Sequence, residues 1–310
     1  MKTKILNSKK DAFWKNIVRF RSVYLIVAIP FCMYLVFRYL PIWNGQIAFK
    51  DYSPGLGVLR SEWVGFDNFK SFIGSYYFGE LIRNTLMYSF GKLFVSVPLA
   101  IILAVVIYEC RRPMLRKTVQ TLSYLPHFLS WVIMYGILLT LLAPGDGIVN
   151  DIIKMLGGEP IDFLTNTEAF PWIVIFSDAW KEMGWSAIIF IAALMGIDPT
   201  LFEAAMVEGV TAIQRVWYIT LPSISPVIVM VVLLRLGTIL DAGFNQMFML
   251  YSPPVYSVAD IIDTWVYRSG LLEFEFSLAT AVGIFKGAIG LVLVTVSNKL
   301  VKKVSDSGLF

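Results

Sequence analysis

Charge is what this chain has least of. Charged residues make up 15 % of its 310 positions against 57 % hydrophobic ones. A soluble domain carries roughly a quarter charged residues, so the class of ordinary water-soluble enzymes is excluded. The chain has one histidine, His127, and two cysteines, Cys32 and Cys110. That leaves no ligand spacing for a metal, and no metal site is expected. Cys32 sits in an apolar run and Cys110 in a basic loop, so a disulfide scaffold is not expected either. No Gly-x-x-x-x-Gly-Lys-Ser/Thr loop occurs, so the chain is not expected to hydrolyse ATP itself. The net charge is only +4, and the basic residues form no exposed stripe, which argues against nucleic acid.

What the chain has in quantity is long apolar runs. Crossing a bilayer takes about 20 mostly apolar residues in a helix. Six runs qualify: Val23–Leu40, Asn84–Tyr108, Val119–Leu142, Trp172–Met195, Val227–Leu250 and Leu278–Leu300. Only a helix satisfies its own backbone within one segment in lipid, so the expected fold is all-α. The first run follows a basic stretch, as a signal peptide does. It is long enough to span, and no small-residue cleavage site follows it, so it reads as an uncleaved first helix.

The loops between these runs orient them. Lys2, Lys4, Lys9, Lys10, Lys15, Arg19 and Arg21 precede the first. Arg111, Arg112, Arg116 and Lys117 follow the second, Arg215 follows the fourth, and Lys299, Lys302 and Lys303 follow the sixth. The opposite side carries Lys50, Arg60, Lys70, Lys154 and Arg268. The positive-inside rule puts the first set, with both termini, in the cytosol. The outer loops are rich in aromatics: Trp43, Tyr52, Trp63, Phe66, Phe69, Tyr76 and Tyr77 lie in the first. These read either as an interfacial belt or as a docking surface for an extracellular partner.

The cytosolic stretch Asp198–Pro222 carries helix signals of its own. Asp198 can cap a helix that starts at Pro199. Gly209 suits the end of that helix. Thr211 and Gln214 have capping-box spacing for a second short helix, expected to end at Leu221-Pro222 where the fifth span begins. Glu203-Ala204-Ala205, then Gly209, then Ile219 and Leu221-Pro222 resemble the EAA loop of ABC-importer permeases in identity, spacing and position. Val64-Gly65-Phe66-Asp67-Asn68-Phe69, Asn84-Thr85-Leu86, Tyr124-Leu125-Pro126-His127, Trp180-Lys181-Glu182-Met183-Gly184-Trp185, Gly196-Ile197-Asp198-Pro199 and Ser277-Leu278-Ala279-Thr280-Ala281-Val282-Gly283 extend the likeness to LplB-like polysaccharide permeases. Glu208 and Val210 depart mildly, standing where Asp and Ala are commoner.

The resemblance implies a type I ABC importer permease: one transmembrane domain over 1–310, with six helices and a cytosolic coupling helix. It implies a bacterial cytoplasmic-membrane location, a second permease subunit, two ATP-binding subunits that use ATP and magnesium, an extracellular solute-binding protein, and an oligosaccharide cargo. Glu203, Ala204, Ala205, Gly209, Ile219, Leu221 and Pro222 are the implied ATPase contacts, with no cofactor on this chain.

Charged groups within spans mark a cavity or a partner. Asp178, Lys181 and Glu182 share one face of the fourth span. Asp178 and Lys181 lie roughly 9–14 Å below its outer end, and Asp241 of the fifth span sits at a similar depth. Lys181 and Asp241 are therefore expected to approach each other at an outer gate or sugar cavity, the alternative being an internal ion pair or contacts at the outer helix end. Arg235 and Lys286 could each face a second permease subunit. Trp180, Trp185, Asn245 and Gln246 are candidate sugar contacts, with plain helix packing as the alternative for either tryptophan. The rival class is an ion- or proton-coupled transporter that uses Asp178, Glu182 and Asp241 as relays, although no internal repeat supports it.

Overall fold

A computed structural model of the chain describes residues 19–304, with side-chain surroundings through residue 299. Lys2, Lys4, Lys9, Lys10, Lys15 and the side chains of Lys302 and Lys303 lie outside the described residues. Four helices among the described residues are long and apolar enough to cross a membrane, or up to six if each of two bent pairs counts as one crossing.

Helix α1 (Arg21–Phe49) exposes nearly all its length, and its last turn packs on the final helix. A two-stranded ribbon follows, β1 (Lys50–Asp51) antiparallel to β2 (Glu62–Trp63). Asn68 fixes this outer segment by donating to the carbonyls of Ala48 and Lys50 at 2.9 and 3.0 Å. Phe49 stacks on Trp63 and meets Phe66 and Phe69 edge-on or tilted. Helix α2 (Asp67–Ile73) leads into α3 (Phe78–Glu109), the longest helix.

Next come α4 (Pro113–Tyr124) and α5 (Trp131–Leu142). The run 119–142, expected as one helix, is two helices bent by 108°. Pro126 removes a backbone donor and disfavours helix at the residue before it. Ser130 then caps the new helix, accepting from the Ile133 N–H. Helix α6 (Ile148–Met155) lies in the loop that leads to α7 (Phe170–Met195). After a 74° bend, α8 (Pro199–Val207) begins.

Helix α9 runs from Ala212 to Gly237. The second short helix of the loop 198–222 does not stop at Leu221-Pro222. It continues as the inner end of α9 through a wide turn at Val216–Thr220, whose looser spacing accommodates Pro222 without a break. The expected fifth span, Val227–Leu250, is also displaced. The chain leaves the helix at Thr238 and restarts as α10 (Phe244–Leu250). Gly243, at φ +89°, takes the left-handed turn there, which only glycine adopts freely. Helices α11 (Ile262–Tyr267) and α12 (Phe276–Val304) complete the described chain.

Helices α3 and α7 pack along most of their lengths and form the spine of the molecule. Small residues permit the approach: Ala100, Ala104 and Ala187 are fully buried between them and α9, beside Phe190 and Leu194, as expected where helices associate in lipid. The outer half is tied by hydrogen bonds. Asn84 is fully buried and donates to the Ser257 and Asp260 carbonyls at 3.1 and 3.0 Å, and Thr85 accepts from the Ile262 N–H.

Candidate functional site

Two regions stand out: a polar cleft in the helix bundle and the loop at its inner end. The cleft has a volume of about 480 Å³ and is lined by Ser89 and Lys92 of α3, Asp178 and Glu182 of α7, Arg235 of α9, and Thr238, Asp241 and Gly243 of the break between α9 and α10. Asp241 also borders a second cleft of about 630 Å³ with Asp263 and Lys286.

Lys92, deep in α3, is the cation that the sequence did not single out. Its ammonium donates to the Ala242 carbonyl at 2.7 Å and lies 3.6 Å from Asp178. A Cβ on Gly243 would fall 2.5 Å from that nitrogen. Glycine is therefore required twice, for the positive φ and for the lysine's space. Asp178 also accepts from Ser96 at 3.3 Å.

Lys181 does not approach Asp241 in this conformation. It turns to the break between α4 and α5 and donates to the carbonyls of His127 and Pro126 at 2.5 and 3.4 Å. The interrupted helix frees the His127 carbonyl, while that of Pro126 also accepts from the Leu129 N–H at 3.1 Å, so a buried cation there satisfies a group that lipid could not. Glu182 lies beside it, 3.6 Å away, and meets His127 Nδ1 at 2.9 Å. The His127 ring stacks on Trp185 with centroids 4.5 Å apart. Gly184 permits this contact: a Cβ there would stand 2.0 Å from the Ser123 carbonyl oxygen.

The remaining candidates separate. Gln246 is fully buried and donates to the Val174 carbonyl and the Ser177 hydroxyl at 2.8 and 2.9 Å, which makes it a tie between α10 and α7. Asn245 and Asp241 are exposed, as is Trp180. Lys286 holds both oxygens of Asp263 at 2.6 and 2.7 Å, joining α12 to α11.

The inner loop folds by its own caps. Asp198 accepts from the Thr200 N–H at 2.9 Å, which holds its carboxyl below the usual carboxylate range. Gly209, at φ +71°, closes α8, and the Val210 N–H returns to the Ala205 carbonyl, a left-handed helix end. Thr211 and Gln214 cap each other. Glu203, Ala204 and Gly209 are exposed, and Ala205 faces inward, 6 % exposed. Ile219 and Leu221 are half-buried at the inner end of α9 and Pro222 is exposed. The loop is bolted to α3 twice. Arg215 pairs with Glu109 at 2.5 Å, and Phe202 meets Tyr108 with centroids 6.2 Å apart. Met206, Val207 and Ile213 stand out from this bolted unit, 59–88 % exposed.

The chain is similar to known proteins along nearly its whole length. The family model described as "Binding-protein-dependent transport system inner membrane component" matches residues 96–306. The chain is 42 % identical over 303 residues to the polygalacturonan/rhamnogalacturonan transport system permease protein YteP of Bacillus subtilis, covering 97 % of this chain and 94 % of that one. It is 39 % identical over 307 residues to protein LplB of the same organism, covering 99 % and 96 %. The solved bacterial alginate ABC transporter, in complex with an alginate pentasaccharide-bound periplasmic protein, holds a chain of similar fold. The TM-score is 0.87 at 39 % identity, covering 96 % of this chain and 99 % of that one.

Proposed function

The chain belongs to the family of binding-protein-dependent transport system inner membrane components, and from that membership we propose how its cleft and inner loop divide the work of transport. The chain is a permease subunit of an ABC importer for oligo- or polysaccharides and a multi-pass protein of the bacterial membrane. It acts with a second permease, ATPase subunits and a solute-binding protein, and is itself non-catalytic. An ion-coupled transporter is thereby set aside.

In our reading the cleft at Lys92, Asp178, Glu182, Arg235 and Asp241 is this subunit's half of the cargo path. Helix α8, with Glu203 and Ala204 exposed, is the element that seats in the ATPase. ATP and magnesium belong to that partner. With the α4–α5 pair counted as one crossing and α7 as another, before the chain bends into α8, the chain spans six times with both termini inside, in keeping with its lysine and arginine distribution.

One observation carries this reading: the same helices hold the loop and the cleft. Helix α3 carries Tyr108 and Glu109 at the loop and Ser89 and Lys92 at the cleft, about 25 Å away along one unbroken helix. Helix α7 runs from Asp178 into α8, and α9 runs from Arg215 to Arg235. A rigid displacement of α8 therefore reaches the cleft through three helix axes. Force on the loop is shared by the Arg215–Glu109 pair, so the loop moves with α3.

Co-purification tests the loop assignment. The ATPase subunit should accompany the wild-type chain and be lost from Ala204→Trp, which enlarges an exposed residue on the proposed docking face. Equal recovery of the ATPase with Ala204→Trp would place docking elsewhere.

A further inference from the structure

Three cations line the two clefts that meet at Asp241: Lys92, Arg235 and Lys286. Two of them already have an acid. Lys286 holds Asp263, and Lys92 lies against Asp178 while donating to the Ala242 carbonyl. Arg235 does not. Among the described residues its guanidinium makes one hydrogen bond, to the Ser186 hydroxyl at 2.8 Å, and no ion pair. A guanidinium has five N–H donors in a planar fork, so most of its capacity is unused.

The same wall holds two unused acceptors. The Asp241 carboxylate accepts no hydrogen bond and closes no ion pair among the described residues, although it lines both clefts. The Ser89 hydroxyl is buried without a partner, on a residue 6 % exposed. Elsewhere in the cleft the charges are closed: Glu182 is held by His127 and Lys181, and Asp178 by Lys92 and Ser96.

An uncompensated guanidinium within a membrane bundle is costly, and the cost is removed when an anion arrives. A carboxylate fits its fork with two parallel hydrogen bonds. An unpaired carboxylate and an unpaired hydroxyl lining the same cleft suit the hydroxyl groups of a sugar ring. The negative charge of Asp241, which lines the same cleft, repels a doubly charged group such as a phosphate more strongly than a singly charged carboxylate.

We propose that Arg235 reads a carboxylate on the transported saccharide, while Asp241 and Ser89 take its hydroxyls, so that the cleft selects uronate-bearing oligosaccharides over neutral ones of equal length. This rests on the cleft being the cargo path. Lys92, although a cation in the same cleft, is committed to Asp178 and Ala242 and supports the wall.

The test uses the assembled importer in liposomes with its binding protein. Uptake of trigalacturonate is compared with uptake of its methyl ester, which keeps the size and hydroxyls and removes the charge. Arg235→Gln should lower the acid-to-ester uptake ratio about tenfold, the value of one lost charged bidentate contact. Arg235→Lys, which keeps the charge and loses the fork, should fall between. Equal loss of both cargoes in either variant, or an unchanged ratio, overturns the proposal: Arg235 would then be a packing residue or a contact to the second permease. If the wild type with ATP present imports neither cargo, the uronate selectivity fails; if Asp241→Asn and Arg235→Gln both leave uptake of the acid unchanged, the cleft is not the cargo path, a separate outcome.

Discussion

Gly184→Ala places one methyl group where the structure has no room. The ideal Cβ would lie 2.0 Å from the Ser123 carbonyl oxygen, 2.4 Å from the Ser123 carbonyl carbon and 3.0 Å from the Tyr124 nitrogen. These are backbone atoms, so no rotamer change relieves the clash. Reaching ordinary contact requires α7 and α4 to part by about 1.4 Å. Such a shift takes Lys181, now 2.5 Å from the His127 carbonyl, out of hydrogen-bond range and opens the His127–Trp185 stack. Overpacking costs about 1–3 kcal/mol, and a hydrogen bond lost from a charged group adds about 1.5–3 kcal/mol. Because the two losses overlap, a net destabilisation of about 3 kcal/mol is expected. Denaturant titration of the purified chain in mild detergent measures it. Two controls grade the effect. At Gly91 the methyl would meet only the tip of the Ile175 side chain, at 2.5 Å, and at Gly136 it would meet nothing within 4 Å. Gly91→Ala should cost less than Gly184→Ala, and Gly136→Ala should be neutral or slightly stabilising. If Gly184→Ala unfolds no more readily than Gly136→Ala, the close approach of α7 to the α4–α5 break is refuted.

Two further substitutions probe the charged bundle. Gly243→Ala forces a strained φ and pushes the Lys92 ammonium from the Ala242 carbonyl; transport by the assembled importer should fall about tenfold or more, a barrier change of about 1.4 kcal/mol, and an unchanged rate would show that Lys92 has another seat. Lys286→Met leaves Asp263 unpaired between α11 and α12. With both side chains 22 % exposed, the cost should be about 2 kcal/mol, below that of a fully buried pair. Adding Asp263→Leu should recover most of it, and a double mutant no better than the single would show that the pair is not the source of the loss.

The parts of this molecule that are legible in the sequence are those whose signals are local. Asp198 and Pro199 start α8, Gly209 ends it, and Thr211 with Gln214 caps the inner end of α9; each signal acts within a few residues, and each appears in the structure as a hydrogen bond or a positive φ. The breaks in the third and fifth runs are masked because a strongly apolar stretch lies on each side of them, although Pro126 and Ser130 stand at the one and Gly237, Asp241 and Gly243 at the other. Nor does proline alone mark a break: Pro98 and Pro226 lie inside α3 and α9. Pro126 breaks its helix because Ser130 caps the next one and Lys181 satisfies the freed His127 carbonyl from another helix. Lys92 gives no local signal because its role depends on Ala242 and Gly243, about 150 residues further along the chain. For the same reason the partners Lys181 takes in this conformation, the carbonyls of Pro126 and His127, are not legible in the sequence. Depth along two ideal helices puts Lys181 near Asp241, but the fifth helix ends at Gly237, so Asp241 sits on a turn. Gln246, a candidate for sugar binding by residue type, is an internal tie.

We propose that the loop between α7 and α9 carries the work of a separate ATPase to the cleft. The most direct measurement is saccharide uptake into liposomes that hold the assembled importer, with the energy source varied. Uptake should require ATP, should be indifferent to an imposed proton gradient, and should be lost in Ala204→Trp while the permease subunits remain assembled. Uptake driven by the proton gradient without ATP, or full ATP-driven uptake by Ala204→Trp, would contradict it.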